Sequence, residues 1–396
     1  MHFNLTTKHS QRIYLDPKLH VVFGVTLMAV IGVFSISPAF PAMVKALNIS
    51  SQEVGLLISV FTIPGVFLMP IIGVFADRFG TKNVLTISLI IFGVSGGLCF
   101  FTRDFHSLLL YRFLQGIGAA PLSSLTIALI GDLYTGNKRT EAMGYNQSVF
   151  SFGAAGFTAI GGALAMLGWF APFILPILAI PIAYFVIKIS INRKLSHPTP
   201  IKLYILSVFK TIKKSHMLVT YSITFVTFIL ISGAFLNYFP ILIGFEVKAT
   251  SLEVGIIMSS MTIFSALSAS QVGKLIHISS LKTLLKISFI FYSISLCLIP
   301  FMPNLWSFLL PGALFGTAQG INLPILQTLL GQHTTAENRA IVMSLYGTCL
   351  RLGQTTGPLF AGAVYTVLGL KSVFVASAAL ALFTAGIAPL FIDKSS

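Results

Sequence analysis

Long apolar stretches separated by short polar segments make up most of this chain. A helix needs about 20 apolar residues to cross the roughly 30 Å hydrocarbon layer of a bilayer, and twelve stretches of that length can be marked. They lie approximately at 19–43, 53–75, 83–102, 106–132, 140–167, 169–189, 217–244, 253–275, 283–302, 305–330, 340–367 and 371–391. The pattern predicts an all-α integral membrane protein with 12 transmembrane helices.

Composition excludes the soluble classes of protein. Of the 396 residues, 55% are apolar and 9% are charged, against about 25% charged in an ordinary soluble domain. Cys99, Cys297 and Cys349 are isolated within apolar stretches, so we expect packing residues rather than disulfides or a metal site. The first twenty residues are polar, and no cleavable signal peptide is expected.

The distribution of cationic residues predicts the topology. If both termini are cytoplasmic, most lysines and arginines between the spans are cytoplasmic too, and only Lys45, Arg103, Lys248 and Lys371 lie outside. The positive-inside rule therefore favours cytoplasmic termini. The net charge of +15 is then explained by contact with anionic lipid, and no nucleic-acid partner is expected.

A basic polar segment divides the chain into two halves of six predicted helices each. The predicted boundaries are a cytoplasmic tail at 1–18, an N-terminal half at 19–190, a basic cytoplasmic linker at 191–216, a C-terminal half at 217–392 and a tail at 393–396.

The second half repeats the first at a constant offset of 200 residues. Ser-Gln-Glu-Val-Gly at 51–55 matches Ser-Leu-Glu-Val-Gly at 251–255. Other matches at this offset include Ser59 and Ser259, Gly73 and Gly273, Lys82 and Lys282, Gly116 and Gly316, Gly131 and Gly331, Arg139 and Arg339, and Gly162 and Gly362. Six helices per half give both halves the same orientation, so the repeat predicts two parallel six-helix units with a binding site between them.

Short motifs in the first half are similar to those of one transporter family. The segment from Gly73 to Lys82, GVFADRFGTK, resembles the G-x-x-x-D-R-x-G-R-R/K signature of the major facilitator superfamily, with Thr81 as its departure. The segment from Arg112 to Gly116, RFLQG, resembles the R-x-x-Q-G motif of that family's fourth helix. Together with the repeat, the resemblance covers almost the whole chain and implies the fold of that superfamily.

The resemblance also assigns gating roles to a loop that contains Gly73, Asp77, Arg78, Gly80 and Lys82. In the family, the aspartate matching Asp77 caps helix 11, and the arginine matching Arg78 pairs with an acid at the inner end of helix 4. Asp132 is placed to be that acid. These contacts imply a latch on the cytoplasmic side that breaks during transport. A purely structural loop, in which Gly80 permits a tight turn, is the alternative.

A glycine motif of the 12-helix drug:proton antiporter branch is divided between the two halves. The branch has G-x-x-x-G-P-x-x-G-G in helix 5, where this chain has GAAGFTAIGG at 153–162. At the offset of 200, GQTTGPLFAG at 353–362 restores the missing pair as Gly357 and Pro358. We therefore expect helix 11 to bend at Pro358, and the resemblance to this branch implies export.

Two arginines are the cations predicted inside the spans. Arg112 lies about six residues into helix 4 and Arg351 about eleven residues into helix 11, while no acid or histidine is predicted at mid-membrane depth. Charges at that depth mark functional sites by default, so an electropositive cavity for an anionic or carboxylate-bearing substrate is one hypothesis. In the alternative, amides and carbonyls satisfy each arginine, and Gln115 and Gln354 are placed to contribute.

Other polar residues predicted within the spans are candidates for the cavity wall, although a hydrogen bond between helices explains each of them equally well. They are Asn146, Asn237, Tyr238, Gln319 and Asn322. For the coupling proton, the remaining titratable candidates are Asp132 with Arg78, and Glu53.

These observations predict a secondary active transporter that exports a small organic molecule by proton antiport, through alternating access between two rocking halves. Multidrug efflux of lipophilic compounds and the import or exchange of organic anions are the alternatives. The chain lacks the buried acid or histidine cluster of a membrane enzyme, and it lacks a Walker motif for ATP. We expect no cofactor, no metal, and a monomer in the bacterial inner membrane.

Overall fold

The computed structural model describes residues 13–188, 215–332 and 339–391, and within these ranges the regular structure is helical, with no strand. The helices of the first range are α1 (Pro17–Phe34), α2 (Phe40–Leu47), α3 (Ser51–Leu68), α4 (Ile72–Phe79), α5 (Thr81–Phe101), α6 (Phe105–Ala119), α7 (Leu122–Leu133), α8 (Gly136–Ala165) and α9 (Ala179–Lys188). The later helices are α10 (Ser215–Ile229), α11 (Phe239–Glu246), α12 (Ser251–Ile278), α13 (Leu281–Leu298), α14 (Leu309–Gln332), α15 (Arg339–Leu368) and α16 (Leu370–Phe391).

Within the described ranges, eleven helical segments are long and apolar enough to cross a membrane. They coincide with eleven of the twelve predicted spans. The remaining span, 340–367, is the 30-residue helix α15, which is long enough but is interrupted by Arg351, Gln354 and Pro358. The all-α membrane architecture is therefore confirmed, whereas the count of twelve spans and the cytoplasmic termini stay predictions.

The predicted division into tails, halves and linker also stays a prediction. The linker predicted at 191–216 lies outside the described residues apart from its last two positions, and the tail at 393–396 lies wholly outside them. Of the N-terminal tail, the part from Ile13 onward is described. Its Asp16 caps α1, and the Tyr134 hydroxyl at the end of α7 donates to the Asp16 carboxylate at 2.7 Å.

Matching capping boxes start α3 and α12. The Glu53 carboxylate accepts the backbone N–H of Ser50 at 2.7 Å, and the Ser50 hydroxyl accepts the N–H of Glu53 at 3.1 Å. Thr250 and Glu253 make the same two bonds at 2.8 and 3.3 Å. This reciprocal pattern satisfies two backbone donors that the first turn of a helix leaves free, so equivalent helices start at positions 200 residues apart.

Matching glycines also hold two pairs of helices in close contact. A Cβ atom on Gly116 of α6 would overlap the carbonyl oxygen of Phe61 in α3, and one on Gly316 of α14 would overlap that of Met261 in α12. Only glycine permits such a close approach of two backbones. The repeat in the sequence is therefore a repeat in the structure.

Because these two contacts are equivalent, Gly116→Ala and Gly316→Ala should destabilise the protein to a similar extent. We expect each to lower the free energy of unfolding by about 1–3 kcal/mol, the usual cost of forcing atoms into a packed core. Thermal unfolding of the detergent-solubilised protein measures this. The control is Gly331→Ala, because no heavy atom lies within 4 Å of a Cβ built there. Unchanged unfolding of either Gly116→Ala or Gly316→Ala would contradict the structural equivalence.

Two spans are interrupted at equivalent positions of the repeat. In the first half, α1 ends at Phe34 and a short 3-10 turn at Ser37–Ala39 precedes α2. In the second half, α10 continues into a π-helical segment, Leu230–Tyr238, before α11. π-Helical geometry is rare and is often found at functional sites. Because of these interruptions, α2 and α11 are separate short helices at the ends of their spans.

Candidate functional site

Two pairs of helices form contacts between the halves, α3 with α15 and α8 with α12, and we call each contact a seam. The two seams are equivalent under the offset of 200 residues. In the seam of α3 and α15, the Ser59 hydroxyl donates to the carbonyl oxygen of Thr355 at 2.7 Å. In the seam of α8 and α12, the Ser259 hydroxyl donates to the carbonyl oxygen of Ala155 at 2.8 Å. Each residue of one bond is 200 positions from its counterpart in the other, so an approximate two-fold axis runs between the halves.

The halves are packed most closely toward one end of the molecule, which we call the sealed end and which carries loops 48–50 and 247–250. A Cβ atom on Gly162 of α8 would overlap the carbonyl oxygen of Ser251 in α12. A Cβ atom on Gly255, one turn further along α12, would lie 3.3 Å from the Cα atom of Gly162. Backbone therefore packs directly on backbone at this end of the seam.

The short helices α2 and α11 close the sealed end between the two halves. A Cβ atom on Gly244 of α11 would lie 2.5 Å from the ring of Pro41 in α2. One turn further along, the Lys45 ammonium group lies 5.5 Å from the centre of the Phe245 ring, within the range of a cation–π interaction. A contact between the interrupted spans thus completes the seal.

One face of α8 shows where the seal stops. Residues three or four positions apart lie on the same face of a helix, and on this face Ala154 and Thr158 are buried while Gln147 and Phe150 are exposed. The change takes place within two turns. The halves are therefore in contact at the sealed end, and this face of α8 is exposed toward the opposite end.

An apolar groove of about 360 Å³ lies on another side of α8, against α1. Its walls are Leu27, Val149, Phe152, Gly153, Gly156, Phe157 and Ile160. These positions of α8 point away from Ala155 and Gly162, which contact α12. The groove is therefore separate from the seam between the halves.

Arg112 is buried inside the N-terminal half. Its Nε donates to the carbonyl oxygen of Leu57 at 3.2 Å, Nη2 donates to that of Gly32 at 2.8 Å, and Nη1 donates to Gln115 Oε1 at 2.6 Å. The guanidinium carbon lies 4.1 Å from the centre of the Phe61 ring. Since Gly32 is in the last turn of α1, Arg112 caps the end of that helix and connects α1, α3 and α6.

Arg351 lies in the seam between α15 and α3 and is only partly buried. Its Nη1 donates to Gln354 Oε1 at 3.1 Å, and its Nε is buried with no hydrogen-bond partner among the described residues. Gly65 of α3 leaves room for this side chain, because a Cβ atom there would lie 2.9 Å from Arg351 Cγ. The second arginine is thus at the interface of the halves and has unused donor capacity.

Two of the predicted cavity residues hold helices of one half together. The Asn146 side chain of α8 accepts from the Thr26 hydroxyl at 2.6 Å. The Asn322 side chain of α14 accepts from the Thr227 hydroxyl at 3.1 Å and donates to Ser288 at 3.0 Å. Both arrangements fit the alternative in which such residues form hydrogen bonds between helices.

Three others are buried with polar atoms that have no partner in the part of the chain that the structure describes. They are both amide atoms of Asn237, the hydroxyl of Tyr238 and Oε1 of Gln319. The same holds for the amide nitrogen of Gln115. The Tyr238 ring is 5.5 Å from that of Tyr365. The structure therefore does not gather the predicted polar residues into one cluster.

The residues of the predicted latch lie at the end of the molecule opposite the seal. Gly80 has a φ angle of +86° between α4 and α5, as the tight turn requires, and no heavy atom lies within 4 Å of a Cβ atom built on Gly73. The Arg78 guanidinium carbon lies 5.6 Å from the centre of the Phe79 ring. Asp132 is exposed near the end of α7, Lys82 is the second residue of α5, and Asp77 lies on α4. The latch itself stays a prediction.

Gly357 and Pro358 lie where α15 meets the π-helical segment. A Cβ atom on Gly357 would overlap the Ser232 hydroxyl, and one on Gly233 would lie 2.8 Å from the carbonyl carbon of Gly357. Pro358 is inside α15. It lies against α3, because a Cβ atom on Gly55 would be 3.2 Å from Pro358 Cβ. Gly357 and Pro358 thus let α15 pack closely against both the π-helical segment and α3.

Sequence reasoning missed the hydroxyl groups of the α3–α15 seam, because Ser59 was noted only as a match of the repeat and Thr62 and Thr355 were not singled out. The hydroxyls of Thr62 and Thr355 are 2.8 Å apart and buried, and Thr355 lies about one turn of α15 from Arg351. The offset of 200 was the available signal, because it pairs Thr355 with Ala155 and Ser59 with Ser259. Among the described residues, no group of three or more His, Cys, Asp or Glu side chains could hold a metal ion.

Sequence comparison identifies similar proteins among bacterial exporters and resistance proteins. The bacillibactin exporter of Bacillus subtilis is 32% identical over 157 residues, which are 38% of this chain and 39% of that protein. The quinolone resistance protein NorA of Staphylococcus aureus is 22% identical over 96% of this chain and 97% of its own length. Multidrug resistance protein 2 of Bacillus subtilis is 24% identical over 85% of this chain and 86% of its own.

Solved transporter structures share the fold. The nucleoside transporter NupG superposes with a TM-score of 0.78 at 15% identity, covering 95% of this chain and 98% of that one. The human organic anion transporter MFSD10 gives 0.71 at 18% identity, covering 94% and 100%. The sequence model described as Major Facilitator Superfamily matches residues 22–248 and 222–396. The chain therefore belongs to the major facilitator superfamily and is a transporter rather than an enzyme, which confirms the resemblance found in its motifs.

Proposed function

We propose that the chain exports a small organic molecule across the bacterial inner membrane, as a monomer, by proton antiport and alternating access. The observation that carries this proposal is the pair of equivalent seams between the halves, both in contact at the sealed end. Toward the other end the seams differ: the face of α8 in the α8–α12 seam becomes exposed, whereas in the α3–α15 seam the Ser344 hydroxyl still donates to the carbonyl oxygen of Met69 at 2.9 Å. Alternating access requires an interface of this kind, which can open at either end in turn. The similarity to a bacillibactin exporter over 38% of the chain, and to two bacterial resistance proteins over 96% and 85% of it, supports export as the direction.

We further propose that the substrate is anionic or bears a carboxylate group, and that Arg351 binds it. A guanidinium group can hold a carboxylate through two parallel hydrogen bonds. Arg351 lies between the halves, is partly exposed, and its Nε has no hydrogen-bond partner in the described ranges of the chain. Arg112 donates from all three guanidinium nitrogens to protein groups, so we assign it a structural role instead.

For the coupling proton, Asp132 is the better of the two acidic candidates. The Glu53 carboxylate is engaged in the capping box of α3, where it stabilises the helix start. Asp132 is exposed at the end of α7 that faces away from the seal. Its protonation would then respond to the compartment on that side.

Multidrug efflux of lipophilic compounds is the second candidate, favoured by the similarity to multidrug resistance protein 2 of Bacillus subtilis along 85% of the chain. Import or exchange of organic anions would use the same arginine and differs only in direction. The choice of substrate and the direction of transport can both be tested in membrane vesicles.

The first experiment measures proton release from energised inverted vesicles when organic anions are added, with wild type and Arg351→Gln at matched expression. We expect release with wild type and a loss of about tenfold or more in the variant, because a charge-assisted hydrogen bond contributes about 1.5–3 kcal/mol. A pH-sensitive dye inside the vesicles gives the readout.

The control is Arg103→Gln, which alters an exposed arginine that lies over Phe170, away from the seams. It should respond like wild type. A response to lipophilic cations that is unchanged by Arg351→Gln would overturn the anion proposal and support multidrug efflux. No proton release with any compound would overturn antiport.

A further inference from the structure

Asn237 occupies an unusual place in the seal between the halves. It is the second-last residue of the π-helical segment, it is 0% exposed, and neither of its amide atoms has a hydrogen-bond partner among the described residues. Its side chain crosses to the other half. The Asn237 side chain packs directly against Gly55 of α3, where any Cβ atom would overlap the Asn237 amide.

The equivalent residue of the first half is satisfied. At an offset of 200, Asn237 corresponds to Ser37, which is also 0% exposed. The Ser37 hydroxyl donates to the carbonyl oxygen of Val33 at 3.3 Å, within its own span. Of these two equivalent residues, Asn237 is therefore the one that lies against the opposite half with no hydrogen-bond partner in the described part of the chain.

A buried amide without partners destabilises the state that buries it, because the same group in contact with water would be fully hydrogen-bonded. Asn237 lies against Gly55 only while α3 and the π-helical segment are in contact. When the sealed end opens, α3 moves away and water reaches the amide. The unsatisfied group therefore raises the free energy of the sealed state relative to the open one.

We propose that Asn237 sets the equilibrium between the sealed state and the open state of the transporter, because its unsatisfied amide limits the stability of the sealed state. A seal built only of matched backbone contacts and satisfied hydroxyls would favour the closed state more strongly. This inference rests on the alternating access proposed above, but its test needs neither substrate nor a proton gradient, so the two can fail separately.

The experiment measures how often the sealed end opens. Thr158 is 1% exposed and packs beneath the seal, since its carbonyl lies against Gly255. A single cysteine introduced as Thr158→Cys, with Cys99, Cys297 and Cys349 replaced by alanine, reacts with a water-soluble thiol reagent only when the seal opens. Adding Asn237→Ala or Asn237→Leu should slow this reaction about tenfold in the purified protein, and the leucine keeps the side-chain volume.

The matched control is Ser37→Ala in the same single-cysteine protein, which should change the rate less than twofold. Unfolding is checked in a protein that keeps only Cys99, which is 0% exposed inside the N-terminal half. Slower reaction at position 158 in both Asn237 variants, with Cys99 still protected, supports the proposal. An unchanged or faster reaction at position 158 in either variant overturns it.

Discussion

Replacing Gly162 by leucine should abolish transport without unfolding the protein. The new Cβ atom alone would overlap the carbonyl oxygen of Ser251 and lie 3.2 Å from the Cα atom of Gly255. Because both obstacles are backbone atoms, the clash is relieved only when α8 and α12 separate at the sealed end. We expect transport to fall by about a hundredfold, since a penalty of roughly 3 kcal/mol would deplete the sealed state to that extent. Substrate-driven proton release from inverted vesicles measures the loss.

A matched control lies on the same helix. No heavy atom lies within 4 Å of a Cβ atom built on Gly156, so Gly156→Leu should retain transport within about twofold of wild type. The Gly162 variant should also react faster at a cysteine placed at position 158. Normal transport by Gly162→Leu would mean that the cycle does not require the backbone contact at the sealed end.

Replacing Arg112 by lysine should destabilise the protein more than any comparable change at Arg351. A single ammonium nitrogen cannot reach the acceptors on α1, α3 and α6 that the guanidinium group connects. The carbonyl oxygens of Gly32 and Leu57 would lose a charged donor in a site that is closed to water. We expect the free energy of unfolding to fall by about 3 kcal/mol, measured by thermal unfolding in detergent.

Arg351→Gln is the natural comparison, because that arginine has one hydrogen-bond partner among the residues that the structure describes and is partly exposed. Its unfolding free energy should change by less than about 1 kcal/mol. The two arginines can therefore be distinguished: Arg112→Lys should lower the free energy of unfolding, whereas Arg351→Gln should reduce the response to substrate. If Arg112→Lys kept its stability and lost only the response to anions, Arg112 would be a substrate residue after all.

Much of the fold could be predicted because local sequence determines it. The apolar stretches gave eleven spans whose positions the structure confirms, and the repeat at 51–55 and 251–255 corresponds to two capping boxes with the same bonds. The span around Arg351 shows the limit of that reasoning. Its length was predicted, but its polar residues serve the interface between halves rather than contact with lipid.

The candidate site was less predictable, because partners distant in sequence decide what each polar residue does. The sequence placed both Arg112 and Arg351 inside predicted spans and offered the same two explanations for both. The acceptors of Arg112 lie 55 and 80 positions away, and only the packing of α1, α3 and α6 brings them together. Nothing in the apolar pattern indicated the π-helical segment, since its residues read as a continuous span.

The paired bonds of Ser59 and Ser259 also describe the history of the molecule. Two equivalent contacts across a two-fold axis are the arrangement of an isologous homodimer, in which the same surface meets itself. In this chain the two partners of that interface are fused in tandem. Two copies of a six-helix ancestor would therefore have made the same hydrogen bond in each of the two seams. Residues such as Asn237 and Arg351, whose counterparts Ser37 and Ser151 differ, then mark where the two copies diverged once a single gene encoded both.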